Sequence, residues 1–205
     1  MSLPVRTLID LPVSTETIKY LSEKELNRLT GSFQTRFDQA QGKTRRIRGR
    51  YWLVFLMARY TGARISEVLM IDDTTDIDFR GSRIQLWTLK RKKPFKRTVA
   101  VPPIVTTEVA TYLAEWPNMR GMVFGLARQN FFTKLKTIGS QTGISKDKLY
   151  PHVLRHSRAM EMVSANVPLN VIQQVLGHSS ILNTAVYLQI SGRDAEQIMR
   201  DRGLI

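Results

Sequence analysis

The twelve residues YWLVFLMARYTG, at positions 51–62, constrain the fold more than any other stretch of the chain. At 3.6 residues per turn they are apolar on nearly every side, so a helix built from them has to be buried. Gly62 stands just past the last periodic residue, where a glycine commonly ends a helix. A chain of 205 residues is long enough for one large domain with a proper core, or two small ones. Before this helix, Ser22 followed by Glu25 forms a capping-box signature, and Leu21, Leu26 and Leu29 begin an apolar stripe. Between the two, QGKTRRIRGR reads as a loop with five basic residues among the eight from Lys43 to Arg50.

After ARISEVLMI the period changes. DDTTDIDF reads as a turn, and RIQLWTL and RTVAVP read as two short strands flanking the basic turn KRKKPFK, a hairpin-like element. From Ile104 the period is helical again, with helices expected over IVTTEVATYLAEW, RQNFFTKLKTIG, HVLRHSRAMEMVSA, LNVIQQVLG, SILNTAVYLQI and AEQIMRDRG. The expected fold class is α+β, mainly α-helical with a small antiparallel β-sheet. Residues 1–20, with Pro4 and Pro12 and no clear period, are expected to be an N-terminal tail or arm, and 21–205 the globular domain.

The charge bounds the partners. Thirty-one Lys and Arg against 17 Asp and Glu leave a net +14, which points to a polyanion, nucleic acid before anionic membrane. No apolar run approaches a membrane span, and MSLPVRTLIDLPVS has neither a signal-peptide core nor a transit-peptide pattern. Zero cysteines exclude disulfides, Fe–S clusters and thiol catalysis, and leave zinc only His and carboxylate ligands. The expectation is a cytoplasmic, nucleoid-associated protein.

Four motifs supply reactive side chains. TGARISEV places Arg64 after a helix stop, with Glu67 three residues on. The hairpin turn offers Lys90, Arg91, Lys92 and Lys93. HVLRH puts His152 and Arg155 one helical turn apart, and LGHSS places His178 nine residues before Tyr187. Such a set suits attack on a phosphodiester. Two guanidinium groups can hold the charge that gathers on the non-bridging oxygens. A phenol, with its ordinary pKa of about 10, is expected to be helped to ionise by a cationic pocket. A lysine on the hairpin can protonate the departing 5′ oxygen. A covalent ester to Tyr187 would conserve the bond energy, so resealing needs neither ATP nor a metal.

At these residues the chain resembles the tyrosine recombinase (phage integrase) family, over about residues 20 to 200. TGARISE, the basic hairpin, HVLRH and LGHSS…Y occur in the family's order and spacing. The resemblance implies the DNA breaking-rejoining catalytic-domain fold; the chain departs from larger members in having room only for a tail where they carry an N-terminal core-binding domain, as expected of either a catalytic fragment or a naturally short form. It implies that Arg64 and Arg155 clamp the scissile phosphate and that His178 bonds a non-bridging oxygen. His152 would assist proton movement, and Tyr187 would form a 3′-phosphotyrosyl bond. Glu67 would brace the first arginine. Lys90 is the choice for the hairpin acid, with Lys92 and Lys93 open alternatives. The implied partner is double-stranded DNA at specific sites, bound by a homotetramer whose C-terminal tails are exchanged; no cofactor, metal or membrane is implied.

Plainer readings bound these assignments. His152 and His156 are four apart, a zinc-like spacing, but HVLRH lacks the metalloprotease glutamate and sets Arg155 between them. His156 is read as a packing or DNA-touching residue. Asp72, Asp73, Asp76 and Asp78 read as a solvated turn rather than a metal cage. Lys43, Arg45, Arg46, Arg48 and Arg50, with Arg91, Lys92 and Lys93 on the hairpin, are expected to contact DNA phosphates. The alternatives are a non-catalytic helix-turn-helix binder, with Gly177 at its turn, and a type IB topoisomerase-like activity.

Overall fold

A computed structural model of the protein describes residues 18–89, 94–191, 199–200 and 203. Helix α2 (Gly42–Thr61) forms the centre: from Trp52 to Arg59 every side chain is buried. Around it pack α1 (Glu23–Asp38), α4 (Pro103–Glu115) and α6 (Pro151–Ser164). Phe33 of α1 stacks on Phe55 with ring centroids 4.3 Å apart, and Trp52 Nε1 donates to Glu108 of α4 at 2.8 Å. The α1 start is the capping box expected there: Ser22 N–H donates to the Glu25 carboxylate at 2.8 Å and Glu25 N–H to Ser22 Oγ at 3.3 Å. Helix α5 (Arg128–Ser140) lies against α1.

The sheet has the order β1-β2-β3, with β1 (Ile77–Asp78), β2 (Arg83–Thr88) and β3 (Phe95–Ala100) all antiparallel. Its register pairs Ile84 with Val99 and Leu86 with Arg97, and these four side chains are buried. An arginine therefore occupies an inward position. A second apolar cluster joins α6 to α7 (Leu169–Leu176) and α8 (Leu182–Ser191) through Ala159, Met160, Val163, Ile172, Leu176 and Tyr187. Ile18 and Tyr20 pack against it, and Leu21 N–H donates to Ser157 Oγ at 2.8 Å. Residues 1–17 of the expected tail, and most of the expected last helix AEQIMRDRG, lie outside the described residues.

Three expectations are corrected. The basic stretch 41–50 is not a loop; from Gly42 it forms the first turns of α2. Lys and Arg are good helix formers, and three of these arginines satisfy carbonyls on neighbouring segments. Arg45 bonds Phe37 O and Glu115, Arg48 bonds Arg36 O, and Arg50 bonds the carbonyls of Met122, Val123 and Gly125. The segment DDTTDIDF is not all turn, because Ile77 and Asp78 form the edge strand. Nor is its acidic cluster wholly solvated: Asp73 and Asp76 are buried. Asp73 accepts the Gly121 N–H, and Asp76 pairs with Lys96 and accepts the Asp72 N–H.

Gly62 joins this frame to the residues that follow. It ends α2 in the left-handed region, at φ 62°, and a Cβ there would lie 2.7 Å from Leu176 Cδ2. Gly62→Ala is therefore expected to destabilise the fold by roughly 1–3 kcal/mol through strain and overpacking. Urea unfolding of wild type and variant measures the difference.

Candidate active site

The left-handed turn at Gly62 sends the chain into Ala63 and Arg64, and Arg64 caps the four-residue helix α3 (Ile65–Val68) in extended conformation. Thr61 steadies the turn by accepting the Ala63 N–H at 3.1 Å. One turn on, the Glu67 side chain is completely buried. It accepts from Arg64 Nη1 at 3.0 Å, from the Arg64 backbone N–H at 3.2 Å and from Arg97 Nη2 at 2.8 Å. A buried carboxylate is tolerated only when so compensated.

Arg97 is the inward residue of β3. Beyond Glu67 it donates to Thr88 Oγ1 of β2 at 2.8 Å and to Val175 O of α7 at 3.0 Å. Its guanidinium also lies under the α7–α8 junction. Gly177 ends α7 at φ 69°, and a Cβ there would stand 3.0 Å from Arg97 Cζ. His178 follows at once, so this close approach sets where His178 begins.

Arg155 enters from α6, 5% exposed. Its Nη1 donates to Gly62 O at 2.9 Å, while among the described residues its buried Nη2 has no hydrogen-bond partner. Burial, then the positive charge of Arg64, lower its pKa to about 10, which leaves it charged at neutral pH. Arg64 and Arg97 pair with the one buried carboxylate, Glu67, Arg155 feels its charge, and the locality carries excess positive charge.

His178 and Tyr187 face this cluster. His178 is buried, with Nδ1 2.8 Å from Thr184 Oγ1. Burial, then Arg155 and Arg64, depress its pKa to about 3, so it is neutral near pH 7. Tyr187, 2% exposed on α8, has its phenol oxygen 2.8 Å from His156 Nδ1. Its ring lies nearly parallel to that of His178, with centroids 6.4 Å apart. The charges of Arg155 and Arg64 do act to lower the Tyr187 pKa, but burial outweighs them and the pKa is raised. The cationic pocket thus acts in the expected direction, but burial is the larger effect.

Of the expected site residues, Arg64, Glu67, Arg155, His178 and Tyr187 come together. His152 is exposed in the first turn of α6. Lys90, Arg91, Lys92 and Lys93 lie outside the described residues. On α2, Lys43 is exposed and Arg46 half-buried, while Arg45, Arg48 and Arg50 hold the internal bonds given above. His156, read as a packing or DNA-touching residue, packs against Tyr187 and contacts its phenol. Arg97 and Thr184 were not anticipated. Arg97 left one trace, a charge in phase with Val99 and Val101 on the buried side of RTVAVP. Gly177 does form the turn of the helix-turn-helix alternative, between α7 and α8, and His178 just after it bonds Thr184.

The phage integrase family model matches residues 19–193. The chain belongs to the phage integrase family. The tyrosine recombinase XerA of Pyrococcus furiosus is 28% identical over 162 residues, covering 75% of this chain and 54% of the relative. The chain spans about half the length of the curated relatives it matches, 54%, 58% and 51% for three of them. Solved structures carry the same fold. A XerH recombinase in complex with its difH substrate superposes with a TM-score of 0.68 at 19% identity, over 91% of this chain and 53% of that one. The catalytic domain of the bacteriophage HP1 integrase gives a TM-score of 0.61 at 22% identity, over 90% of this chain and 95% of that one. This phage integrase domain therefore has the catalytic-domain fold with its small antiparallel sheet, and no described helix is long and apolar enough to cross a membrane.

Two predictions concern the site's stability. Arg97→Ala leaves the buried Glu67 with one cationic partner and is expected to cost about 3–5 kcal/mol, the scale for breaking a buried pair; urea unfolding reads it. His178 is held neutral by a folded-state pKa far below its unfolded one. Its contribution is therefore complete above the unfolded pKa, about 6.5, and is lost as the pH falls below it. Between pH 6.5 and 4 the slope is expected to approach about 1.4 kcal/mol per pH unit for this one group. A shallower pH dependence in His178→Asn is the check.

Proposed function

We propose that this domain cleaves and rejoins DNA at specific sites through a covalent 3′-phosphotyrosyl intermediate, as the catalytic part of a tyrosine recombinase. The observation that carries the reading is Arg155. A buried cation whose Nη2 has no partner among the described residues, beside a second arginine and a phenol, is an anion site waiting for a phosphate oxygen. In this reading Arg155 and Arg64 bind the non-bridging oxygens and stabilise the charge of the pentacoordinate transition state. Neutral His178 adds a hydrogen bond to the same oxygens. Glu67 holds Arg64 in its extended pose rather than taking part in proton transfer. Tyr187 attacks phosphorus, the bond to the 5′ oxygen breaks, and a hairpin lysine, Lys90 first and Lys92 or Lys93 otherwise, supplies that oxygen with its proton.

At 2% exposure Tyr187 cannot meet a DNA strand where it rests, so α8 has to shift when DNA binds. Such a step couples cleavage to assembly. We read the working unit as a homotetramer on two double-stranded sites, with exchange of the C-terminal tails and action at the nucleoid. The net +14 supports the duplex as partner. Of the basic residues on α2, Lys43 and Arg46 are the better candidates for phosphate contact, since Arg45, Arg48 and Arg50 are committed to internal bonds.

Covalent adducts mapped on genomic DNA would identify the site, and nicked suicide duplexes built from it would measure cleavage. Wild type is expected to accumulate a covalent protein–DNA adduct that Tyr187→Phe abolishes. Arg155→Ala should slow adduct formation by about 10²–10³-fold while binding survives. Adducts that persist in Tyr187→Phe would refute the nucleophile; DNA binding without any wild-type adduct would favour the helix-turn-helix reading.

A further inference from the structure

A side chain that holds a phosphate oxygen needs a fixed pose and an uncompensated charge, and for Arg64 these two demands conflict. The pose comes from Glu67, whose carboxylate accepts from Arg64 Nη1 at 3.0 Å and from the Arg64 backbone N–H at 3.2 Å. Glu67 is completely buried, so water screens the pair poorly, and a carboxylate held there alone would neutralise the guanidinium it fixes. Arg97 removes the conflict. Its Nη2 donates to Glu67 at 2.8 Å, and its side chain is 6% exposed where that of Arg64 is 19% exposed. The other acceptors of Arg97, Thr88 Oγ1 and Val175 O, are neutral, so among the described residues Glu67 is its counter-charge.

We propose that Arg97 is a positioning residue for strand cleavage: it offsets the Glu67 charge, so that the carboxylate orients Arg64 without cancelling the charge Arg64 offers to the scissile phosphate. The assignment rests on Arg64 being a phosphate ligand. Arg97 is not a second such ligand. It is buried, and its Nε, Nη1 and Nη2 each already hold a protein acceptor. Those acceptors lie on α7, β2 and α3. None belongs to α8, so the arrangement does not depend on where Tyr187 rests.

The two charges can be removed singly or together, with opposite consequences. Without Arg97, Glu67 keeps Arg64 as its one bonded cation, and an incoming phosphate meets a neutralised pair where it needs a charge. With glutamine at both 67 and 97, a side-chain carbonyl remains to orient Arg64, and Arg64 keeps its whole charge for the substrate. That double change also leaves no buried charge unpaired at the two positions, which is far better tolerated than loss of one partner.

Single-turnover adduct formation on two suicide duplexes tests this, one with the natural scissile phosphate and one with a methylphosphonate there, which lacks the negative charge. On the phosphate, Arg97→Gln is expected to slow cleavage by roughly 10–100-fold, the scale for residues that orient the ligands of a metal site, while gel shifts show DNA still bound. The double variant Glu67→Gln, Arg97→Gln should recover most of that loss. On the methylphosphonate the defect of Arg97→Gln relative to wild type should largely disappear, because there is less charge to meet; a residue that only holds the fold together would give the same defect on both duplexes. Circular dichroism at the assay temperature establishes that each variant is folded. The proposal is overturned if Arg97→Gln cleaves the phosphate at the wild-type rate, if its defect is undiminished on the methylphosphonate, or if the folded double variant stays slow, an arm that stands even where Arg97→Gln does not fold. Wild-type cleavage by Arg64→Ala would instead remove the phosphate-ligand reading itself, a failure distinct from these.

Discussion

Glu67 holds a negative charge wholly out of solvent, and much of the site is arranged around that charge. A carboxylate in that position demands cations, and it takes two, Arg64 across one turn of its own segment and Arg97 from the sheet. Arg97 in turn needs acceptors for its remaining N–H groups and finds them on Thr88 and Val175. Four segments distant in sequence are tied together by one set of compensated charges: the α2–α3 turn, β2, β3 and the end of α7. The catalytic-domain geometry follows, because His178 begins where α7 ends.

The same cluster is deliberately incomplete. Three guanidinium groups against one carboxylate leave positive charge over, and Arg155 keeps a buried donor without a partner among the described residues. Unpaired buried polar groups are rare because they are costly. A phosphate oxygen would supply both the charge and the acceptor. Around Tyr187 the balance differs, since burial outweighs the arginines and keeps the phenol protonated. The site thus carries excess positive charge while its phenol stays protonated and hydrogen-bonded to His156.

Much of this was legible in the residues alone. The all-apolar face of 51–62 required a buried helix, Gly62 its end, Ser22 and Glu25 the start of α1, and the alternation in RIQLWT and RTVAVP the two main strands. The basic segment 41–50 misled because five cations looked like a solvated loop. What decided its conformation was a set of carbonyls at Arg36, Phe37, Met122, Val123 and Gly125, which no local pattern announces. The buried Asp73 and Asp76 escaped notice for a like reason, because their partners Gly121 and Lys96 lie 48 and 20 residues away.

By itself the order of residues determined which chemical groups the protein owns and which family it joins. Motif spacing along single helices and turns is a local property, and local properties survive in one dimension. Only the tertiary structure decided which of those groups touch. It put His156 rather than His152 on the phenol, made Arg97 the link between sheet and site, and let burial override positive charge at Tyr187. Each of these depends on distance and solvent exclusion between segments far apart in the chain, quantities that do not exist until the chain has folded.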